Sequence, residues 1–255
     1  MKGLNILYVA AWRIFTNLGV AFRLSAAWLA IIGVLGVISI GLSGSSFIYI
    51  ALAVLFIAAI YIGWHRFCLL GEEPKSWLYM PPTERTTSYI LTSIKLILIA
   101  IIVAVVVFGV IFAILSIFSF LLISAYGAIF AAILPFIIQV VIGAYLAGIA
   151  LILPASALKR PLTLKQAHAS TMANFGTLLV LSIGYTVLSI LYSVLLNVFG
   201  LVNTPGPLDL SWIVFLIFVV FTAWFSFIFG IGYISELYGT LVLDEEAPVQ
   251  AEPTL

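Results

Sequence analysis

The sequence predicts an all-α, polytopic membrane helix bundle, with six transmembrane helices and an N-terminal amphipathic interfacial helix. Three observations point there. Hydrophobic residues make up 65% of the chain and charged residues 7%, whereas a soluble domain carries about 25% charged residues. So little polar material cannot cover a water-facing surface, and the mean hydropathy is +1.33. Apolar runs long enough to cross the hydrocarbon core, about 20 residues as a helix, recur along the chain. All ten Lys and Arg residues fall in segments that six spans place on one side of the membrane.

Residues 2–23 set Lys2, Asn5, Arg13, Thr16 and Arg23 at roughly helical spacing against Leu4, Leu7, Trp12, Phe15 and Phe22. That is the pattern of a helix lying in the headgroup layer. Arg13 and Arg23 interrupt the early apolar stretch, whereas a cleavable signal needs a short apolar core closely following a basic start. The N-terminus is therefore read as retained. The first span is Leu24–Leu42, ending in Gly41-Leu42-Ser43-Gly44-Ser45-Ser46, and the second is Phe47–Leu70, closed by Gly71-Glu72-Glu73-Pro74-Lys75. After Pro81-Pro82, Thr83 is expected to cap a helix that carries Glu84 at its electropositive end.

From Leu96 to Leu158 no residue is charged. Ser116, Ser119, Ser124 and Gly127 mark the turn-tolerant stretch, and Pro135 suits the first position of a helix, where its missing N–H costs nothing. The third span is therefore placed at 89–118 and the fourth at 135–158. Residues 119–134 are read as a connecting or re-entrant piece, or as an extension of either helix. Thr163-Leu164-Lys165-Gln166 fits a capping box and opens a short amphipathic helix before a fifth span at 175–199. Asn203-Thr204-Pro205-Gly206-Pro207 is a turn, and the sixth span runs Ser211–Ile234. Residues 1–243 thus form one membrane domain. Residues 244–255, beginning Asp244-Glu245-Glu246, are read as an acidic, disordered tail.

The basic residues orient this arrangement. Segments 1–23, 66–95, 159–168 and 236–255 hold every Lys and Arg, and the opposite loops near 43–46, 119–127 and 200–210 hold none. Because the Lys- and Arg-rich side is cytoplasmic, both termini are expected in the cytoplasm. An extra span within 96–158 would carry Lys159 and Arg160 across and destroy the separation. Trp64, Trp77, Tyr79, Tyr238 and Trp212 are expected near the interfaces, as amphipathic rings should be.

Chemistry is sparse. With a net charge of +1 there is no electrostatic case for a nucleic-acid partner. The single cysteine, Cys68, excludes an intramolecular disulfide, and His65 and His168 lie far apart with no H-x-x-x-H or H-E-x-x-H spacing, so no metal or cofactor is expected. G-x-S-x-G, P-loop and G-x-G-x-x-G patterns are missing, and an enzyme is not expected. The span interiors lack ionisable residues, the usual pointer to a transport or catalytic site. Gln139 and Asn197 are read as interhelical hydrogen-bond partners, or alternatively as a small-molecule transport pathway near Pro135. Phe218, Phe221, Phe225 and Phe229 form an aromatic stripe suited to packing or lipid contact, and Ala144 and Gly148 are a small-residue pair where helices can approach closely. His65, Arg66, Arg85, Lys159, Arg160 and Lys165 are the candidate contacts for lipid headgroups, or for a membrane partner that is another protein or a second copy, with His65 read as an interfacial anchor.

Three blocks carry a resemblance. Ala21-Phe22-Arg23-Leu24-Ser25, Trp64-His65-Arg66-Phe67-Cys68-Leu69-Leu70-Gly71-Glu72 and Leu153-Pro154-Ala155-Ser156-Ala157-Leu158-Lys159-Arg160-Pro161 resemble an uncharacterised family of alphaproteobacterial inner-membrane proteins. These are similar at a distance to the YciC-like proteins and to the membrane domain attached to some glycerophosphodiester phosphodiesterases. Where such proteins often carry Thr-Arg-Gly-Asn, this chain has Thr171-Met172-Ala173-Asn174, with one positive charge fewer. The resemblance implies a six-helix inner-membrane protein and supplies no activity.

Overall fold

In a chain so poor in polar side chains, each backbone N–H and C=O has to be satisfied within its own helix. The computed structural model describes residues 2–41, 46–117, 125–160, 162–198 and 210–243, and these are helical nearly throughout. In order they form α1 (Lys2–Thr16), α2 (Leu18–Gly41), α3 (Ser46–Leu70), α4 (Thr83–Ile117), α5 (Ala125–Ile149), α6 (Ile152–Ala157), α7 (Leu164–Ala173), α8 (Phe175–Val198) and α9 (Leu210–Tyr238), closed by a π-helical turn at Gly239–Leu243. Among the described residues, six segments are long and apolar enough to cross a membrane: Leu18–Ser39, Ile48–Leu70, Thr83–Ala113, Ile133–Ala157, Phe175–Val194 and Ile217–Leu243. The protein is an all-α, multi-pass membrane bundle. The predicted turn at 203–207 and the acidic tail lie outside the described residues.

α1 is amphipathic as expected, but three-sided. Gly3, Ile6, Leu7, Ala10 and Ile14 are buried, packed on α8 and α9. Leu4, Tyr8, Trp12 and Phe15 form an exposed apolar flank, and Lys2, Asn5 and Thr16 an exposed polar one. Gly3 permits the docking, because a Cβ there would meet the Thr177 carbonyl oxygen at 2.6 Å. Arg13 bridges α1 to two other helices: its Nε lies 2.6 Å from a Glu236 oxygen, and its Nη1 donates to the Cys68 carbonyl at 2.7 Å.

The core forms where α3 and α9 meet α1 and α8, around Ile14, Leu24, Ile60, Leu178, Ile228 and Leu237. Trp64 and Tyr238 belong to this core and are almost wholly buried, so neither is an interfacial ring; Trp77 is exposed as expected. Within the aromatic stripe, Phe218 and Phe221 are exposed and Phe229 is buried, while Phe225 packs on Phe15 with centroids 5.1 Å apart. On the other side, α5 packs on α7 and α8 through small residues. Ala144 is fully buried, and a Cβ on Gly148 would collide with the Thr171 side chain.

Three local expectations shift. Pro135 does not open a helix. It lies inside α5, which membrane helices tolerate because neighbours re-satisfy the freed carbonyl. Residues 125–134 therefore extend the fourth-span helix, and residues 118–124 lie outside the described residues. α5 then breaks at Ala150-Leu151 and the chain restarts as the short α6. Finally, Thr83 is the first helical residue and not the cap, since the Pro82 carbonyl accepts from the Arg85 and Thr86 N–H groups. By contrast, Thr163 caps α7 in a full capping box with Gln166.

α4 is the outlier. Its span has the highest mean hydropathy of the six, 3.4, yet none of its most apolar window is buried. It is held near its start, on α3 and α6.

Candidate functional site at the basic end of the bundle

Alternating helix directions bring the start of α4 and the ends of α3, α6 and α9 to one end of the bundle, together with the basic residues. The end of α6 shapes the site. Arg160 N–H donates to the Ala155 carbonyl at 2.9 Å and Lys159 N–H to the Ser156 carbonyl at 3.2 Å, the bond pair of a Schellman cap. That cap needs a left-handed residue just past the helix, and Lys159 fills it with φ 58°. A side chain in this conformation costs roughly 1–2 kcal/mol. Gly71, at the end of α3, has the same sign of φ, 68°, without that cost.

The turn at Lys159 places it and Arg160 opposite the first turns of α4. A cleft of 390 Å³ lies between them, lined by Arg85, Ser88, Thr92, Ser156, Lys159 and Arg160, with Glu84 and two aliphatic side chains. Three cations thus face one carboxylate. Lys159 Nζ is 3.3 Å from Glu84 Oε2, an exposed pair worth about 0–1 kcal/mol. The Ser88 and Ser156 hydroxyls lie 3.3 Å apart across the cleft. Arg85 Nε is buried and makes no hydrogen bond among the described residues. A cleft with guanidinium forks, an amine and hydroxyls suits a phosphate, which accepts paired N–H bonds from Arg.

The six predicted contact residues divide. Arg85, Lys159 and Arg160 converge on the cleft. Lys165 is exposed in the first turn of α7, outside the cleft lining. Arg66 is engaged elsewhere: its guanidinium forks onto both oxygens of Glu72 and its Nη1 donates to the Ala157 carbonyl at 3.5 Å, joining the ends of α3 and α6. His65 corrects its reading as an interfacial anchor. It is 1% exposed, with Nδ1 2.7 Å from Ser235 Oγ and Nε2 3.2 Å from the Tyr89 hydroxyl. Ser235 Oγ itself donates to the Ile231 carbonyl. The network therefore assigns the ring proton to Nδ1, donating to Ser235, and leaves Nε2 to accept from Tyr89. His65 is an internal strut joining α3, α4 and α9.

Sequence reasoning missed Ser88, Thr92 and Ser156. Their one signal was the four-residue spacing of Glu84, Ser88 and Thr92 on α4. Among the described residues no group of three or more His, Cys, Asp or Glu side chains is placed to hold a metal, and His168 Nδ1 lies 3.3 Å from the Tyr145 hydroxyl.

A second cavity, of 500 Å³, lies deeper. Leu96, Ile97 and Ala100 of α4 form one wall, Gln139, Gly143, Leu146 and Ala147 of α5 another, and Ser182, Tyr185, Thr186 and Tyr233 complete it. Gln139 is thus at a cavity; Pro135 is exposed and does not line it, and the Asn197 side chain lies outside the described residues.

No family model matches this chain, and neither does any curated protein or solved structure compared with it. The resemblance set out above rests on its residue blocks alone.

Proposed function

We propose that this is a non-enzymatic bacterial inner-membrane protein, both termini cytoplasmic, that engages anionic lipid headgroups through the cleft between α4 and α6. The observation that carries this reading is the convergence of Arg85, Lys159 and Arg160, with three hydroxyl side chains, on one cleft at the basic end of a membrane bundle. The one-sided distribution of Lys and Arg supports the cytoplasmic placement, and the residue blocks support the bacterial inner membrane. Each surface Lys or Arg near an anionic leaflet contributes about 1 kcal/mol. Removing Arg85 and Arg160 should therefore reduce retention of an anionic lipid by at least tenfold. Native mass spectrometry of the purified protein, offered phosphatidylglycerol and phosphatidylcholine together, measures this. Equal retention of phosphatidylglycerol by the wild type and the Arg85→Ala/Arg160→Ala variant would overturn the reading.

One observation favours small-molecule transport instead, the cavity at Gln139 with its serine, threonine and tyrosine hydroxyls. That reading expects Gln139→Leu to abolish uptake of a polar solute into proteoliposomes.

A further inference from the structure

The two cavities share a wall. Glu84, Ser88, Thr92, Leu96 and Ala100 are spaced four apart along α4 and so form one continuous ridge, which winds round the helix by about 40° at each step. Glu84, Ser88 and Thr92 line the basic cleft; Leu96 and Ala100 line the deeper cavity. The facing wall continues in the same way, from Ser156 and Ile152 in the cleft to Ala150, Ala147 and Gly143 in the cavity. Thr92 and Leu96 are about one helical turn apart, a rise of roughly 5–6 Å, so little separates one compartment from the next. Above the α4–α6 packing, the seam between α4 and α5 is open. α4 packs chiefly on α3 and α6, and α5 chiefly on α7 and α8, so these two helices are not closed on each other. Ile97 and Gln139 are exposed at the cavity mouth.

Along this seam chemistry changes from cationic and hydroxyl-bearing at the basic end to mainly apolar in the deeper cavity, whose hydroxyls and Gln139 carry no charge. Each compartment falls within the roughly 300–1,000 Å³ of small-molecule sites. We infer that the seam between α4 and α5–α6 is a site for one whole anionic glycerophospholipid. Its phosphate lies among Arg85, Lys159 and Arg160, and an acyl chain runs past Thr92 and Leu96 into the cavity beside Gly143 and Ala147. This rests on the headgroup reading above and adds that the hydrocarbon is held as well. With three cations against the single carboxylate of Glu84, the cleft favours an anionic headgroup over a zwitterionic one, whose ammonium adds positive charge. A chainless phosphate ester fills only the upper compartment and loses the apolar contribution, about 0.8 kcal/mol per buried methylene.

The test blocks the lower compartment from α4 and leaves the cleft intact. In native mass spectrometry, Ala100→Trp should retain phosphatidylglycerol at least tenfold less than wild type, and Ala100→Leu about threefold less. Gly109→Trp, on the same helix with open space around it, should retain it fully, with all thermal midpoints compared in the same detergent. Millimolar glycerol 3-phosphate should not displace phosphatidylglycerol from the wild type. Should both Ala100 variants retain phosphatidylglycerol like wild type, or the chainless ester displace it, the acyl-chain site is refuted and the headgroup site survives. If Arg85→Ala/Arg160→Ala alone retains it fully, the headgroup reading fails and the inference falls with it.

Discussion

α4 and α5 are neighbouring spans that solve the same problem in opposite ways. α5 carries glycine and alanine along one face and draws α7 and α8 in until Gly148 has no room for a methyl group beside Thr171. α4 has larger side chains and a more apolar central window than α5, and it buries none of that window. Hydropathy therefore does not report burial here. In lipid the tails are as apolar as leucine, so small residues and hydrogen bonds, rather than apolar area, decide which helices associate. α4 is held at its base, where Tyr89 meets His65, Ser88 meets Ser156, and Tyr89 packs in a small apolar cluster with Ala58, Ile62 and Ala157.

The largest expected effect breaks the α5 side of that contrast. Gly148→Leu forces a side chain into Thr171 and should cost about 3 kcal/mol, the upper range for overpacking. Gly109→Leu on α4, with nothing within 4 Å of an added Cβ, should leave the thermal midpoint of the detergent-solubilised protein unchanged. Equal midpoints for the two variants would show that α4 and α5 are packed alike. Next is the foot of α4. His65→Leu leaves the Ser235 and Tyr89 hydroxyls without their shared partner and should destabilise by about 1–3 kcal/mol. Tyr89→Phe removes one bond and should cost about 0.6 kcal/mol, the average for such bonds in a membrane. A double-mutant cycle measures their coupling, and additivity would dissolve the strut. A last effect has the opposite sign. Lys159→Gly releases the left-handed side-chain strain and should raise stability by about 1 kcal/mol, while lowering phosphatidylglycerol retention. Loss of stability in this variant would mean that Lys159 holds the turn through its side chain.

The spans were legible because each is a long apolar run, and the capping box at Thr163 because its determinants lie three residues apart. Pro135 misled because a rule for helix starts in water is relaxed among lipid-embedded helices. Trp64 and His65 were misplaced because Arg66 follows them directly, and adjacent residues on a helix point in different directions. His65 finds its partners at Tyr89 and Ser235, in two other helices, and no local pattern announces them. The cleft was half legible. Its cations were visible as a one-sided cluster, but their convergence depends on the break between α5 and α6, which turns Lys159 and Arg160 toward α4. Ser88 and Thr92 looked like ordinary membrane-helix hydroxyls.

The docking of α1 has a consequence for how the chain is made. Its buried flank rests on α8 and α9, and its Arg13 meets Glu236, near the opposite end of the sequence. A ribosome adding about 5–20 residues per second needs on the order of ten seconds or more after Arg13 emerges before Glu236 exists. α1 therefore waits for its partners while the four spans between it and α8 are inserted. Truncation after α7 should leave the Gly3, Ile6, Leu7, Ala10 and Ile14 flank of α1 uncovered, accessible to protease in a way that the chain carrying α8 and α9 is not.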